Sequence, residues 1–116
     1  MVKAYQMPFK AITLVAGADL SDKRYHAIAV NSNGEGVLAT ATTAGIGLLQ
    51  NGVKGGQPAT VMTDGAGYCI FGATVAAGQE VQADANGKIV PLASGKKIGV
   101  CLVGGESGSI GTIILK

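Results

Sequence analysis

A chain of 116 residues has room for one domain, and with 47% apolar and 14% charged residues it is excluded from the disordered class. A net charge of +2, the balance of nine scattered Lys and Arg residues against seven Asp and Glu, provides no basic stripe for nucleic acid. No apolar run approaches the ~18 residues of a membrane-spanning helix, and so small a domain cannot bury all of its apolar residues, which predicts that some face another copy.

Residues 1–10 contain two aromatics, Tyr5 and Phe9, and Pro8, without helical spacing, and predict an extended N-terminal arm. Ala11–Val15 reads as the first strand. With Lys3 and Lys10 upstream it has the outline of a secretion signal, but it is short and interrupted by Thr13, and Gly17-Ala18 recurs later as Gly72-Ala73. The stretch is therefore assigned to the fold. Asp19 to Arg24 predicts at most one helical turn, with Asp19 as its cap.

From Tyr25 the period becomes two. Tyr25, Ala27 and Ala29 alternate with His26, Ile28 and Val30, and Asn33-Gly34 leads into Val37-Leu38. Asn-Gly between apolar runs is a strong hairpin signal, because both residues tolerate positive φ. Strands follow at Ile46–Gln50 and Pro58–Thr63, joined through Gly52, Gly55 and Gly56, and Gly65 and Gly67 then punctuate the chain before Tyr68–Phe71. A second hairpin turns at Asp84-Ala85-Asn86-Gly87, and Pro91 places its outgoing strand at an edge or end. Ile98–Val103 and Ser109–Leu115 complete the series. Short strands with glycine at the corners predict an all-β barrel or sandwich.

The chain also reads as a duplication. Ile46, Gly47, Gly52, Gly56 and Thr60 match Ile98, Gly99, Gly104, Gly108 and Thr112, with Leu48/Val100, Val61/Ile113 and Met62/Ile114 similar. Asn33-Gly34 matches Asn86-Gly87. The repeat units span about 11–63 and 68–115 of a single β domain, 11–116, each burying against the other what it could not bury alone.

No constellation of catalytic residues emerges. His26 is the single histidine and, in an alternating strand, is expected at the surface or an interface; alone it builds neither a triad nor a zinc site. Cys69 and Cys101 sit in apolar runs and predict buried free thiols. The likeness of Asp84–Gly87 to a calcium loop and of Ser94-Gly95-Lys96-Lys97 to a Ser-x-x-Lys motif lacks the surrounding ligands or helix. No phosphate-binding glycine motif opens a helix. Lys88, beside the second hairpin turn, has the place of a modified carrier lysine but not the flanking residues. The expectation is a chain that is not an enzyme and holds no cofactor or metal.

Ala16-Gly17-Ala18-Asp19-Leu20-Ser21, Tyr25-His26, Ile46-Gly47-Leu48-Leu49-Gln50-Asn51, Gly56-Gln57-Pro58-Ala59-Thr60-Val61 and Val75-Ala76-Ala77-Gly78-Gln79-Glu80-Val81 together resemble the capsid decoration, or head cement, proteins of tailed phages, over about residues 11–116. The thiol-bearing Tyr68-Cys69-Ile70-Phe71 departs from that pattern. The resemblance implies a small β-tulip-like barrel that binds the outside of an expanded phage head as a homotrimer, with the major capsid protein as partner and no direct nucleic-acid or membrane contact. It implies a place on the virion exterior after synthesis in the host cytoplasm. Lying outside the repeat, the arm is the expected contact with capsid or a neighbouring subunit, through Tyr5, Met7, Phe9 and Lys10. A homo-oligomeric ligand- or carbohydrate-binding β module is the alternative class, although three Tyr and two Phe, spread along the chain, mark no sugar platform.

Overall fold

The structure, a computed structural model, describes residue 4 and residues 7–116. Its strands are β1 (Met7–Val15), β2 (Ala27–Val30), β3 (Gly36–Leu38), β4 (Gly47–Leu49), β5 (Pro58–Ile70), β6 (Glu80–Ala83), β7 (Ile89–Pro91), β8 (Lys97–Val103) and β9 (Ile110–Leu115). They form one antiparallel sheet ordered β3-β2-β4-β5-β9-β8-β6-β7, with β1 also paired to β5, and no helix occurs among the described residues. The sheet curls at both ends. Ala16, just past β1, bridges Gly36, and Phe71, just past β5, bridges Ile89. Each half of the sheet is thereby rolled into a small barrel.

The duplication is visible in the register. Leu48↔Met62 and Leu49↔Val61 in the first half repeat as Val100↔Ile114 and Cys101↔Ile113 in the second. Ala27↔Leu48 and Ile28↔Gly47 repeat as Glu80↔Val100 and Val81↔Gly99. Val15↔Pro58 repeats as Ile70↔Ile110, and Val30↔Gly36 as Ala83↔Ile89. Long β5 serves both barrels, its N-terminal half pairing with β1 and β4 and its C-terminal half with β9.

Local chemistry accounts for the turns. Asn31 Oδ1 accepts from the N–H groups of Asn33 (3.0 Å) and Glu35 (2.9 Å), and Asp84 Oδ1 does the same for Asn86 (2.8 Å) and Lys88 (3.0 Å). Each Asx side chain thus holds its hairpin while Gly34 (φ 77°) or Gly87 (φ 75°) takes the left-handed position. Pro91 ends β7, which pairs in register only with β6 and so tolerates the missing donor.

Several elements differ from the sequence reading. The first strand begins at Met7 rather than Ala11, since Met7, Pro8 and Lys10 already pair with β5. Gly65 does not break the chain into two strands: at φ 99° it sits where the β1–β5 register shifts, so β5 runs on through a bulge. Asp19 caps no helical turn; its carboxylate accepts the Ser21 N–H at 3.0 Å in an isolated Asx turn. Nor is β2 half exposed. Ala27, Ile28 and Ala29 are all buried, because Ile28 faces the first barrel and the two alanines face the second.

Two apolar clusters follow from this arrangement. The first barrel encloses Ala16, Leu20, Ile28, Leu49, Ala59 and Val61, with Leu14 and Leu38 packed against them. The second cluster joins the interior of the second barrel, around Phe71, Val81, Cys101 and Ile113, to Ala27, Ala29, Leu48 and Met62 on the outside of the first. The interface between the repeats is therefore part of the core.

Candidate functional site

The titratable groups singled out by sequence are spent on structure. His26 is buried, not at the surface: its backbone N–H donates to Lys23 O (3.0 Å), and its ring Nδ1–H faces Arg24 O at 3.2 Å. The Gly87 hairpin tip of the second repeat covers it. Burial holds its pKa below the ordinary value, with the charges of Lys23 and Lys88 acting in the same direction. An imidazole that resists protonation when folded leaves the unfolded chain with more bound protons as the pH drops below about 6.5, so stability falls there and is full above it. His26→Gln, which installs the residue at the matching position of the second repeat, Gln79, is expected to flatten the dependence of melting temperature on pH between about 5 and 7. An unchanged slope in thermal scans would remove His26 as its source.

Cys69 and Cys101 are buried free thiols. Burial, with the Cys101 sulfur nearby, pushes the Cys69 thiol up to about 12, and burial raises Cys101 too. Neither thiolate is available to react. Both are expected to resist a disulfide-exchange reagent in the folded protein at mildly alkaline pH and to react fully in concentrated guanidinium chloride. Fast labelling without denaturant would contradict their placement.

The remaining motifs resolve similarly. The Asp84 carboxylate is committed to its hairpin. Lys97 Nζ pairs with Glu80 Oε2 at 2.8 Å, and Ser94 lies in the exposed turn before β8. Lys88 is half-buried, behind a tip docked on the first repeat rather than displayed. Among the described residues no three His, Cys, Asp or Glu side chains gather as metal ligands. A groove of about 150 Å³ between the repeats is lined by Gly45, Ile46, Thr63, Lys97, Ile98 and Leu115.

Of the arm residues, Tyr5 lies outside the described residues, and the backbone of Met7 and Phe9 belongs to β1. Lys10 is exposed and stands opposite Asp64 at the register shift between β1 and β5. From Lys10 on, β1 is largely solvent-facing: Ile12 and Val15 are 39% and 50% exposed. Val15 sits opposite exposed Pro58, and the same place in the second repeat holds Ile70 opposite Ile110, the latter 49% exposed. The two halves thus display matching apolar pairs.

Sequence reasoning missed a further feature, at Tyr25. Tyr25 has φ 69°, a left-handed conformation costing ~1–2 kcal/mol in a non-glycine residue. Its N–H donates to Leu49 O as that of Gly78 does to Cys101 O, each at 2.7 Å, so glycine fills the equivalent position in the second repeat. What offsets the cost is its ring, 5.3 Å from that of Tyr68 and 4.7 Å beneath the Arg24 guanidinium, contacts that contribute ~0.5–1.5 kcal/mol each. Extending the repeat alignment to Tyr25/Gly78 was the signal available.

Fold and surface together define an all-β tandem duplication that exposes apolar side chains, Ile12, Val15, Val30 and Ile110, on its strands. Among solved structures, the chain is similar to the head fiber gp8.5 N base of bacteriophage phi29, with 18% identity and a TM-score of 0.71 over 92% of this chain and 93% of that one. That similarity shows the fold. No protein-family model matches the sequence, and no curated protein matches it.

Proposed function

We propose that this chain is a structural protein of a tailed-phage head, bound to the outer surface of the expanded capsid as a homotrimer with the major capsid protein as its partner. The observation that carries the reading is the shared fold with the phi29 head fiber N base across 92% of the chain. The resemblance of Ala16–Ser21, Ile46–Asn51 and Gly56–Val61 to head cement proteins supports it independently. On this reading the protein is neither an enzyme nor a nucleic-acid-binding module. It bridges capsomers and opposes the outward pressure of packaged DNA: each copy adds a modest binding free energy to the expanded shell, and contacts spanning capsomer boundaries multiply it.

Contact on this reading falls to Tyr5, to Met7, Phe9 and Lys10 at the start of β1, and to the apolar pairs Val15–Pro58 and Ile70–Ile110, in which Val15, Pro58 and Ile110 are exposed. The test adds purified protein to expanded heads lacking it, followed by co-sedimentation and imaging. Density on the head exterior, and loss of at least tenfold in affinity for Val15→Asp combined with Ile110→Asp, are expected. No binding to expanded heads would overturn the proposal.

A further inference from the structure

The two barrels are covered unequally. The mouth of the second is closed by the first: a Cβ on Gly67 would strike the Met62 side chain and lie 3.1 Å from Leu48 Cδ1. Ala83, in the same apolar cluster as Leu48 and Met62, is 3% exposed. The Gly87 tip completes the closure, its carbonyl accepting the Ala27 N–H at 2.7 Å with Leu38 and His26 against it. The shared register gives the matching positions of the first barrel: Ile12 for Gly67, Val30 for Ala83 and Gly34 for Gly87. These are open. Ile12 and Val30 are 39% and 45% exposed, and nothing lies within 4 Å of a Cβ placed on Gly34.

The covering surface is also duplicated. Leu48 and Met62, which close the second mouth, correspond to Val100 and Ile114, both left half-buried on the outside of the second barrel. We propose that a second copy of this chain closes the first barrel's mouth head to tail, laying its Val100 and Ile114 over Ile12 and Val30 and receiving the Asn33-Gly34 tip beside its Glu80. The volumes complement each other. Large Leu48 and Met62 meet a glycine within the chain, whereas smaller Val100 and Ile114 would meet an isoleucine. A rim ion pair, Lys97–Glu80 at 2.8 Å, flanks this face and keeps it wettable when apart.

Direction follows from the same asymmetry. A two-fold relation between the repeats would have closed both mouths inside one chain, but only one is closed, so the contact is heterologous and each copy keeps one donor and one acceptor end. The inference rests on the self-association in the function proposed above but not on its capsid contact, and its test contains no capsid.

Ile12→Asp removes the mouth and Ile114→Asp the covering face. By light scattering the unmodified protein is expected to form an oligomer, and each variant alone to be monomeric. An equimolar mixture should give a one-to-one dimer in native mass spectrometry, because one intact mouth meets one intact face. Val30→Asp with Val100→Asp serves as a second pair if either first variant loses its β-sheet circular dichroism. A monomeric unmodified protein, folded variants that still oligomerise, or a mixture that stays monomeric overturns the proposal.

Discussion

Replacing Phe71 by alanine is expected to cost about 3–5 kcal/mol, the range for removing a large buried aromatic. Phe71 is fully buried and heads the largest fully buried side chains among the described residues. Its ring fills a space that the duplication supplies in two different ways. In the first barrel the matching bridge residue is Ala16, and Ala59 stands where the second barrel has Gly111. A Cβ on Gly111 would overlap the Phe71 ring and press on the Val103 carbonyl oxygen. The second barrel has therefore exchanged two methyls for one phenyl and a glycine. Against a total stability of about 5–15 kcal/mol, Phe71→Ala lowers the denaturation midpoint sharply. Gly111→Ala is also destabilising, but in the Phe71→Ala background its cost falls by about 1 kcal/mol or more, because the ring it strikes is gone. Additive losses in a double-mutant cycle of denaturation curves would show that ring and glycine do not share this space.

The second large effect concerns Gly47 and Gly99. Neither has positive φ, so turn geometry does not explain them. Each lies where the coiled sheet brings two backbones together: a Cβ would run into the Met62 carbonyl at Gly47 and the Ile114 carbonyl at Gly99. Backbone held in a ladder cannot yield as a side-chain end can. Alanine at either position is expected to cost about 3 kcal/mol, the upper part of the overpacking range. Gly56 makes the contrasting case, with φ 86° but open space around it, and Gly56→Ala should cost about 1 kcal/mol through backbone strain alone. Urea denaturation of the three variants checks the order; a milder effect at Gly47 and Gly99 than at Gly56 would mean a looser sheet.

Much of the scaffold is legible along the chain because strand and hairpin signals are local. Asn33-Gly34 and Asn86-Gly87 set their turns through side chains within a few residues, and matched glycines at 47 and 99 or 56 and 108 mark the duplication directly. The buried thiols follow from apolar neighbours in sequence. The interaction surface is harder to read, because exposure depends on what a distant segment covers. Ile12 and Leu14 are alike in sequence, yet Leu14 packs into the first barrel while Ile12 stays open at its mouth. His26 in an alternating strand looks solvent-facing until the Gly87 tip is placed over it.

By itself, then, the sequence determined an all-β class, a tandem repeat, hairpin positions and the absence of a recognisable catalytic motif, all carried by period, glycine spacing and residue type at short range. Tertiary structure decided which copy of each repeated feature is covered. It made β5 one strand shared by both barrels, put Ala27 and Ala29 inside, and left Val15, Ile110, Ile12 and Val30 exposed. The physical reason is that burial depends on which segment packs over a position from far along the chain, and the head-to-tail packing of the two repeats covers one copy of each feature while leaving the other open.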